Sequence, residues 1–224
     1  SEGEASLTIK ELTLDISVPV NDAINAQQLL NLESGSITVS AGDDAVHCDL
    51  IMNVGAQDTD GPEITVTRCS EGLEAAQLNI LSGSIDIVSS DDCLNAANSD
   101  LSDYDFSINI SGGSISAYSA DGDGFDSNGD LNISGGTVAV WTASRADDQP
   151  LDADGTVTVS GGTVFAAGGS SGMGLSLSAQ QPCVTFASDS GAAGLAKSGA
   201  QVFVKASDGK ELFTADAPCD AAFV

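Results

Sequence analysis

Gly122-Asp123-Gly124-Phe125-Asp126-Ser127-Asn128-Gly129 is one copy of a turn that recurs along most of the chain. The other copies are Asn21-Asp22-Ala23-Ile24-Asn25-Ala26, Asp43-Asp44-Ala45-Val46-His47-Cys48, Ser70-Glu71-Gly72-Leu73-Glu74-Ala75, Asp91-Asp92-Cys93-Leu94-Asn95-Ala96 and Pro150-Leu151-Asp152-Ala153. Each holds an apolar residue flanked by small and by acidic or amide ones. The apolar members Ile24, Val46, Leu73, Leu94, Phe125 and Leu151 are 22, 27, 21, 31 and 26 residues apart. A period in the low twenties, broken by insertions, is that of a solenoid.

A second motif runs in phase: Gly35-Ser36-Ile37, Gly83-Ser84-Ile85, Gly113-Ser114-Ile115, Gly136-Thr137-Val138 and Gly162-Thr163-Val164. Each opens a short alternating strand, and a further strand such as Phe106-Ser107-Ile108-Asn109-Ile110 precedes it. The apolar period is 2, with no sustained 3.6-residue stripe. The repeat is too short for a propeller blade of about 40 residues, and the Leu ladder and Asn column of a leucine-rich repeat are not evident. The pattern predicts an all-β parallel β-helix of about six to seven coils over 1–174. Equivalent residues then stack about 4.8 Å apart. Residues 175–224 read as a C-terminal β capping segment of the same structural unit. It contains Val184-Thr185-Phe186 and a hairpin turning at Ser207-Asp208-Gly209-Lys210, and it is expected to cover unpaired strand edges. Leu7-Thr8-Ile9 and Leu12 to Ile16 read as a first partial coil. Ala221 to Val224 reads as mid-strand, so the natural chain or a partner is expected to continue it.

The 224 residues are 42% hydrophobic but only 4% aromatic, which suits a core of small aliphatics. A formal charge of −27, from 33 acids against 6 bases, excludes binding to nucleic acid or anionic membranes through basic patches. No run of 18 apolar residues exists to cross a membrane. No signal peptide is evident, and Ser1 to Ser6 reads as the start of a processed or trimmed chain. The cysteines at 48, 69, 93, 183 and 219 fit no zinc motif. Small buried residues are the plain reading, with a Cys183–Cys219 disulfide left open.

The acids cluster at the turns, and no Lys or Arg lies between Cys69 and Thr142. With Val46, Leu73, Leu94, Phe125 and Leu151 pointing inward, the next residues form an outward column: His47, Glu74, Asn95, Asp126 and Asp152. Asp44, Glu71, Asp92 and Asp123 form its neighbour. Like charges at coil spacing repel by roughly 1 kcal/mol in water and by more where partly desolvated, so such a ladder calls for protons or cations. Hard oxygen ligands favour Ca²⁺. The candidate metal ligands are Asp43, Asp44, Glu71, Glu74, Asp91, Asp92, Asp123, Asp126, Asp152 and Asp154. The alternative is a solvated acidic face that holds ions diffusely.

The series from Ala41-Gly42-Asp43-Asp44 through Gly122 to Gly129, Leu151-Asp152-Ala153-Asp154-Gly155 and Gly168-Gly169-Ser170-Ser171-Gly172-Met173 resembles a bacterial carbohydrate-binding β-helix family. That family is defined by a clostridial cellulose- and polygalacturonate-binding protein and is related to pectate lyases. The likeness runs from about Ile16 to Met173, and Gly209-Lys210-Glu211-Leu212-Phe213-Thr214 is similar to the family's closing hairpin. The resemblance implies a right-handed parallel β-helix, a secreted bacterial protein outside the cell, calcium on the acidic turns and binding of cellulose or acidic sugar polymers. The chain departs from the family in having no long region ahead of the coils and in Cys48 and Cys93.

A lyase of this kind needs a strong base, often Lys or Arg, beside calcium. Only Arg68, Arg145 and His47 lie near the acidic face, and a lone His on an acidic column reads as a surface filler with a raised pKa. The expectation is a non-catalytic, calcium-dependent binder. Tyr118 and Trp141, each three residues beyond a strand apolar position, should stack outward as an aromatic strip beside Arg145, with Asn128 on the turn. Their alternative is a packing pair under the Ala143 to Gln149 insertion. Calcium bridging reconciles an acidic polymer with a charge of −27. The rival reading is end-to-end self-association into a surface filament or adhesin, and a polysaccharide lyase stands third.

Overall fold

Strict alternation decides which residues enter the core. In Ser114–Ser119, Ile115 and Ala117 are buried while Ser114 and Ser116 face solvent. The computed structural model describes residues 5–143, 148–168, 177–185 and 196–221, and all regular structure among them is β.

An eleven-stranded sheet runs through β1 (Ser6–Ile9), β4 (Leu29–Leu32), β6 (Val46–Val54), β8 (Leu73–Ile80), β11 (Ser107–Ile110), β14 (Asp130–Ile133), β16 (Val157–Val159) and β18 (Leu177–Ala179). Three short strands, β3 (Ile24–Ala26), β10 (Leu94–Ala96) and β13 (Phe125–Ser127), join it as a side limb at the recurring turns. A seven-stranded sheet contains β2 (Leu12–Ser17), β5 (Gly35–Ser40), β7 (Pro62–Arg68), β9 (Ser84–Ser89), β12 (Ser114–Ser119), β15 (Thr137–Thr142) and β17 (Thr163–Ala167). The pairs within both sheets are parallel, each strand meeting its counterpart one turn later. The result is a parallel β-solenoid of about seven turns, as the period predicts. Ile24, Val46, Leu73, Leu94, Phe125 and Leu151 are all buried, the first five in strand register and Leu151 joined to Phe125 by a single bridge, and they stack along the core axis.

The glycines that open the second motif are corner residues. Gly35, Gly83, Gly113, Gly136 and Gly162 all have φ between 78° and 116°. At Gly136 a Cβ would also lie 2.8 Å from the carbonyl oxygens of Gly112 and Gly113, so both conformation and space require glycine.

The structure corrects the sequence reading on the asparagines. Asn31, Asn53, Asn79, Asn109 and Asn132 occupy equivalent positions on β4, β6, β8, β11 and β14. From Asn53 onward each amide nitrogen donates to the side-chain oxygen of the preceding asparagine at 2.9–3.1 Å. The ladder escapes notice in the sequence because its intervals of 22, 26, 30 and 23 residues follow the insertions.

A C-terminal hairpin is present as expected, formed by β19 (Gln201–Lys205) and β20 (Glu211–Asp216). Its strands pair with each other and with neither solenoid sheet. It packs on the outer side of the last turns: Phe213 stacks on Phe165 with ring centroids 4.2 Å apart, and Phe165 meets Trp141 at 4.9 Å. The expected boundary at 174/175 lies outside the described residues, as does Phe186. No Cys183–Cys219 disulfide forms; the Cys219 thiol donates to the Thr142 carbonyl at 3.1 Å. Cys48, Cys69 and Cys93 are buried core residues.

Candidate functional site

The recurring turn places two polar positions on each coil three residues apart, one before and one after its buried apolar residue. The first positions are Asp22, Asp44, Glu71, Asp92, Asp123 and Gln149, and the second are Asn25, His47, Glu74, Asn95, Asp126 and Asp152. Strand register aligns Asn25 with His47, His47 with Glu74, Glu74 with Asn95 and Asn95 with Asp126. The bridge between Phe125 and Leu151 carries the alignment on to Asp152. The outward column expected from the sequence is therefore present. It is less exposed than expected, since Asp44 and Asn95 are buried and Glu71, Glu74, Asp92, Asp123, Asp126 and Asp152 are half-buried.

Of the ten acids proposed as ligands, Asp43, Asp91 and Asp154 stand exposed beside this cradle, and the other seven lie in it. Ligand oxygens of Asp123, Asp126 and Asp152 lie within 4.8 Å of one another, as do those of Asp44, Glu71 and Glu74. Asp22, Asp44 and His47 make a third such group. Asp22 and His47 were not among the expected ligands. The signal that finds them is the three-residue spacing within each turn, which puts Asp22 at the head of the first column and His47 in the second.

The two halves of the cradle are neutralised differently. Toward the N-terminus, His47 Nδ1 lies 3.1 Å from Asp44 Oδ2 and 2.8 Å from Glu74 Oε2, while Nε2 lies 3.1 Å from Asp49 Oδ1. These carboxylates push the imidazole up to about 11, so His47 is a fixed cation at neutral pH. Burial raises Asp44 to about 6 against the opposing pull of His47. Burial likewise raises Glu71 to about 7, although the Asn95 amide donates to its Oε2 at 2.9 Å.

Toward the C-terminus, the donors that face the carboxylates among the described residues are neutral. The Asp123 backbone N–H donates to Asp92 Oδ1 at 2.7 Å, the Gln149 N–H donates to Asp123 Oδ1, and the Gln149 amide donates to Asp152 Oδ1 at 3.3 Å. Burial and the neighbouring acids raise Asp92 to about 8 and Asp123 to about 7, and also raise Asp126. Asn95 commits its nitrogen to Glu71 on the preceding coil. Its Oδ1 is buried with no hydrogen-bond partner among the described residues, and its register neighbour on the following coil is Asp126. A buried carbonyl oxygen without a donor beside three clustered carboxylates is a site short of positive charge.

The expected sugar-binding strip is only partly available. Tyr118 and Trp141 are register neighbours on the outer face, as predicted, and Tyr118 is half-exposed. Trp141 is 4% exposed, packed against Phe165 in the cluster that also takes in hairpin residues. Its indole face is therefore closed to a ligand, because the hairpin needs an apolar floor. Asn128 is exposed on its turn, and Arg145 lies outside the described residues.

A family model described as carbohydrate-binding domain-containing protein matches residues 2–172. No curated protein and no solved structure matches the chain.

Proposed function

Because the chain belongs to the carbohydrate-binding domain-containing family, we propose that it is a non-catalytic, calcium-dependent binder of cellulose or acidic plant polysaccharides that works outside the cell. The observation that carries this reading is the group Asp123, Asp126 and Asp152 with the unpaired Asn95 Oδ1 beside it. All four offer hard oxygen donors, and neither Cys nor His is among them, a donor set that suits Ca²⁺. Asp92 lies on the neighbouring column of the preceding coil and adds to the local negative charge. A bound calcium would hold these carboxylates ionised and offer open coordination positions to sugar carboxylates and hydroxyls. An external location fits, since extracellular calcium modules work at about 0.1–1 mM.

Binding is favoured over lyase chemistry because none of the described Lys or Arg residues belongs to the two columns, and His47 has both ring nitrogens engaged by carboxylates. The filament reading rests on a separate observation. The edge strands β1 and β2 present Leu7 and Leu12 at 40% and 49% exposure, a surface on which another β-segment can add.

The test is retention on polygalacturonate and on cellulose, each with calcium and with chelator at matched ionic strength. Retention on the acidic polymer that disappears with chelator, and in Asp126→Asn, is the expected result. No retention on either polymer under any condition would overturn the reading, and sedimentation would then test for filaments.

A further inference from the structure

We propose that the groove between the inserted loop at 97–106 and the coils around His47 is a second saccharide subsite, selective for a sugar unit bearing a free amine. The proposal rests on the carbohydrate-binding reading but not on the metal. The interval from Leu94 to Phe125 is the longest of the repeat, and the extra residues follow β10. They fold back along the solenoid: the Asn98 side-chain nitrogen donates to the Asp49 carbonyl at 2.8 Å, joining positions 49 residues apart in the chain. Asn98 also organises the loop, its Oδ1 accepting from the Asp100 N–H at 2.9 Å and its carbonyl from the Leu101 N–H at 3.2 Å.

The groove enclosed in this way has a volume of about 490 Å³, within the range of small-ligand sites. Leu50 and Leu101 give it apolar surface, and the Gln27 and Gln28 side chains add amide groups. Its charged lining consists of Asp49, Glu74, Asp100 and His47, without Lys or Arg. Three carboxylates against one imidazolium leave net negative charge. His47 is held by Asp44, Glu74 and Asp49, so it cannot turn to receive an anion. Asp49 commits Oδ1 to His47, yet its side chain remains 42% exposed. Amides and carboxylates over an apolar patch suit vicinal hydroxyls, and the excess carboxylate selects an ammonium over a uronate.

Titration calorimetry in chelator, with the tetramers of glucosamine, N-acetylglucosamine, glucose and galacturonate, tests the proposal. The glucosamine tetramer should bind, the acetylated and neutral tetramers more weakly and the galacturonate tetramer not measurably. Asp100→Asn and Asn98→Ala should each weaken glucosamine binding about tenfold, the loss of one charge-assisted hydrogen bond or of its wall. Asp60→Asn, which removes the same charge elsewhere, and Asp126→Asn should leave it unchanged. Equal weakening by Asp60→Asn would reduce the effect to bulk attraction by an acidic protein and overturn the proposal. Absence of glucosamine binding, or equal galacturonate binding in chelator, would also overturn it. None of these results bears on calcium-dependent retention.

Discussion

Burial, more than number, sets the cradle carboxylates apart from the other acids of the chain. Asp44, Glu71, Asp92 and Asp123 are raised to about 6, 7, 8 and 7, with burial the first cause at each. Because these values exceed those of the unfolded chain, near 4, the protonated fold is favoured. That stability is complete below about pH 4 and is lost as pH rises through 6 to 8. His47 acts in the same direction over a higher window, its contribution complete below about 6.5 and lost as pH approaches 11. In chelator the melting temperature should therefore fall between pH 5 and pH 8, and calcium should restore it and flatten the slope. A profile that is flat in chelator would contradict this account. Phe125, fully buried on the core side of the same turn, gives a second prediction: Phe125→Ala should cost about 3–5 kcal/mol in denaturant unfolding. The inward position of Phe125 and the outward column after it are legible from a single turn. The burial of that column is not, since it depends on coils stacked above and below.

At the scale of elements, alternation and corner glycines make the coils readable, while variable intervals conceal the lateral ladders. Asn79 sits in mid-ladder, donating to Asn53 and accepting from Asn109. Asn79→Ala should destabilise by about 1–3 kcal/mol, as two amides lose partners, and Asn132→Ala at the ladder end by less; equilibrium unfolding of both variants checks the order. The hairpin was legible from Ser207-Asp208-Gly209-Lys210, but its docking on the solenoid flank was not. Nothing local to Trp141 says that Phe165 and Phe213 will cover its side of the sheet. Phe213→Ala should loosen that cover and shift the emission of the single tryptophan to the red, leaving the melting of the coils nearly unchanged. Unshifted emission would mean that the hairpin does not shield the indole.

For the whole molecule, the charge of −27 and the parallel stacking act against each other, because each turn brings carboxylates into register with those of the last. The N-terminal half of the cradle answers with His47 and the Asn95 amide, whereas among the described residues the C-terminal half meets Asp92, Asp123, Asp126 and Asp152 with neutral donors. The sequence shows the excess of acid but not this division, which appears only when register assigns each residue to a half. Equilibrium calcium titration of the chain at neutral pH, compared with the double variant Asp123→Asn/Asp126→Asn, tests this most directly. The account predicts saturable calcium uptake that the double variant loses while its circular dichroism spectrum stays unchanged. Identical uptake by a folded double variant, or none by the unaltered chain, would contradict it.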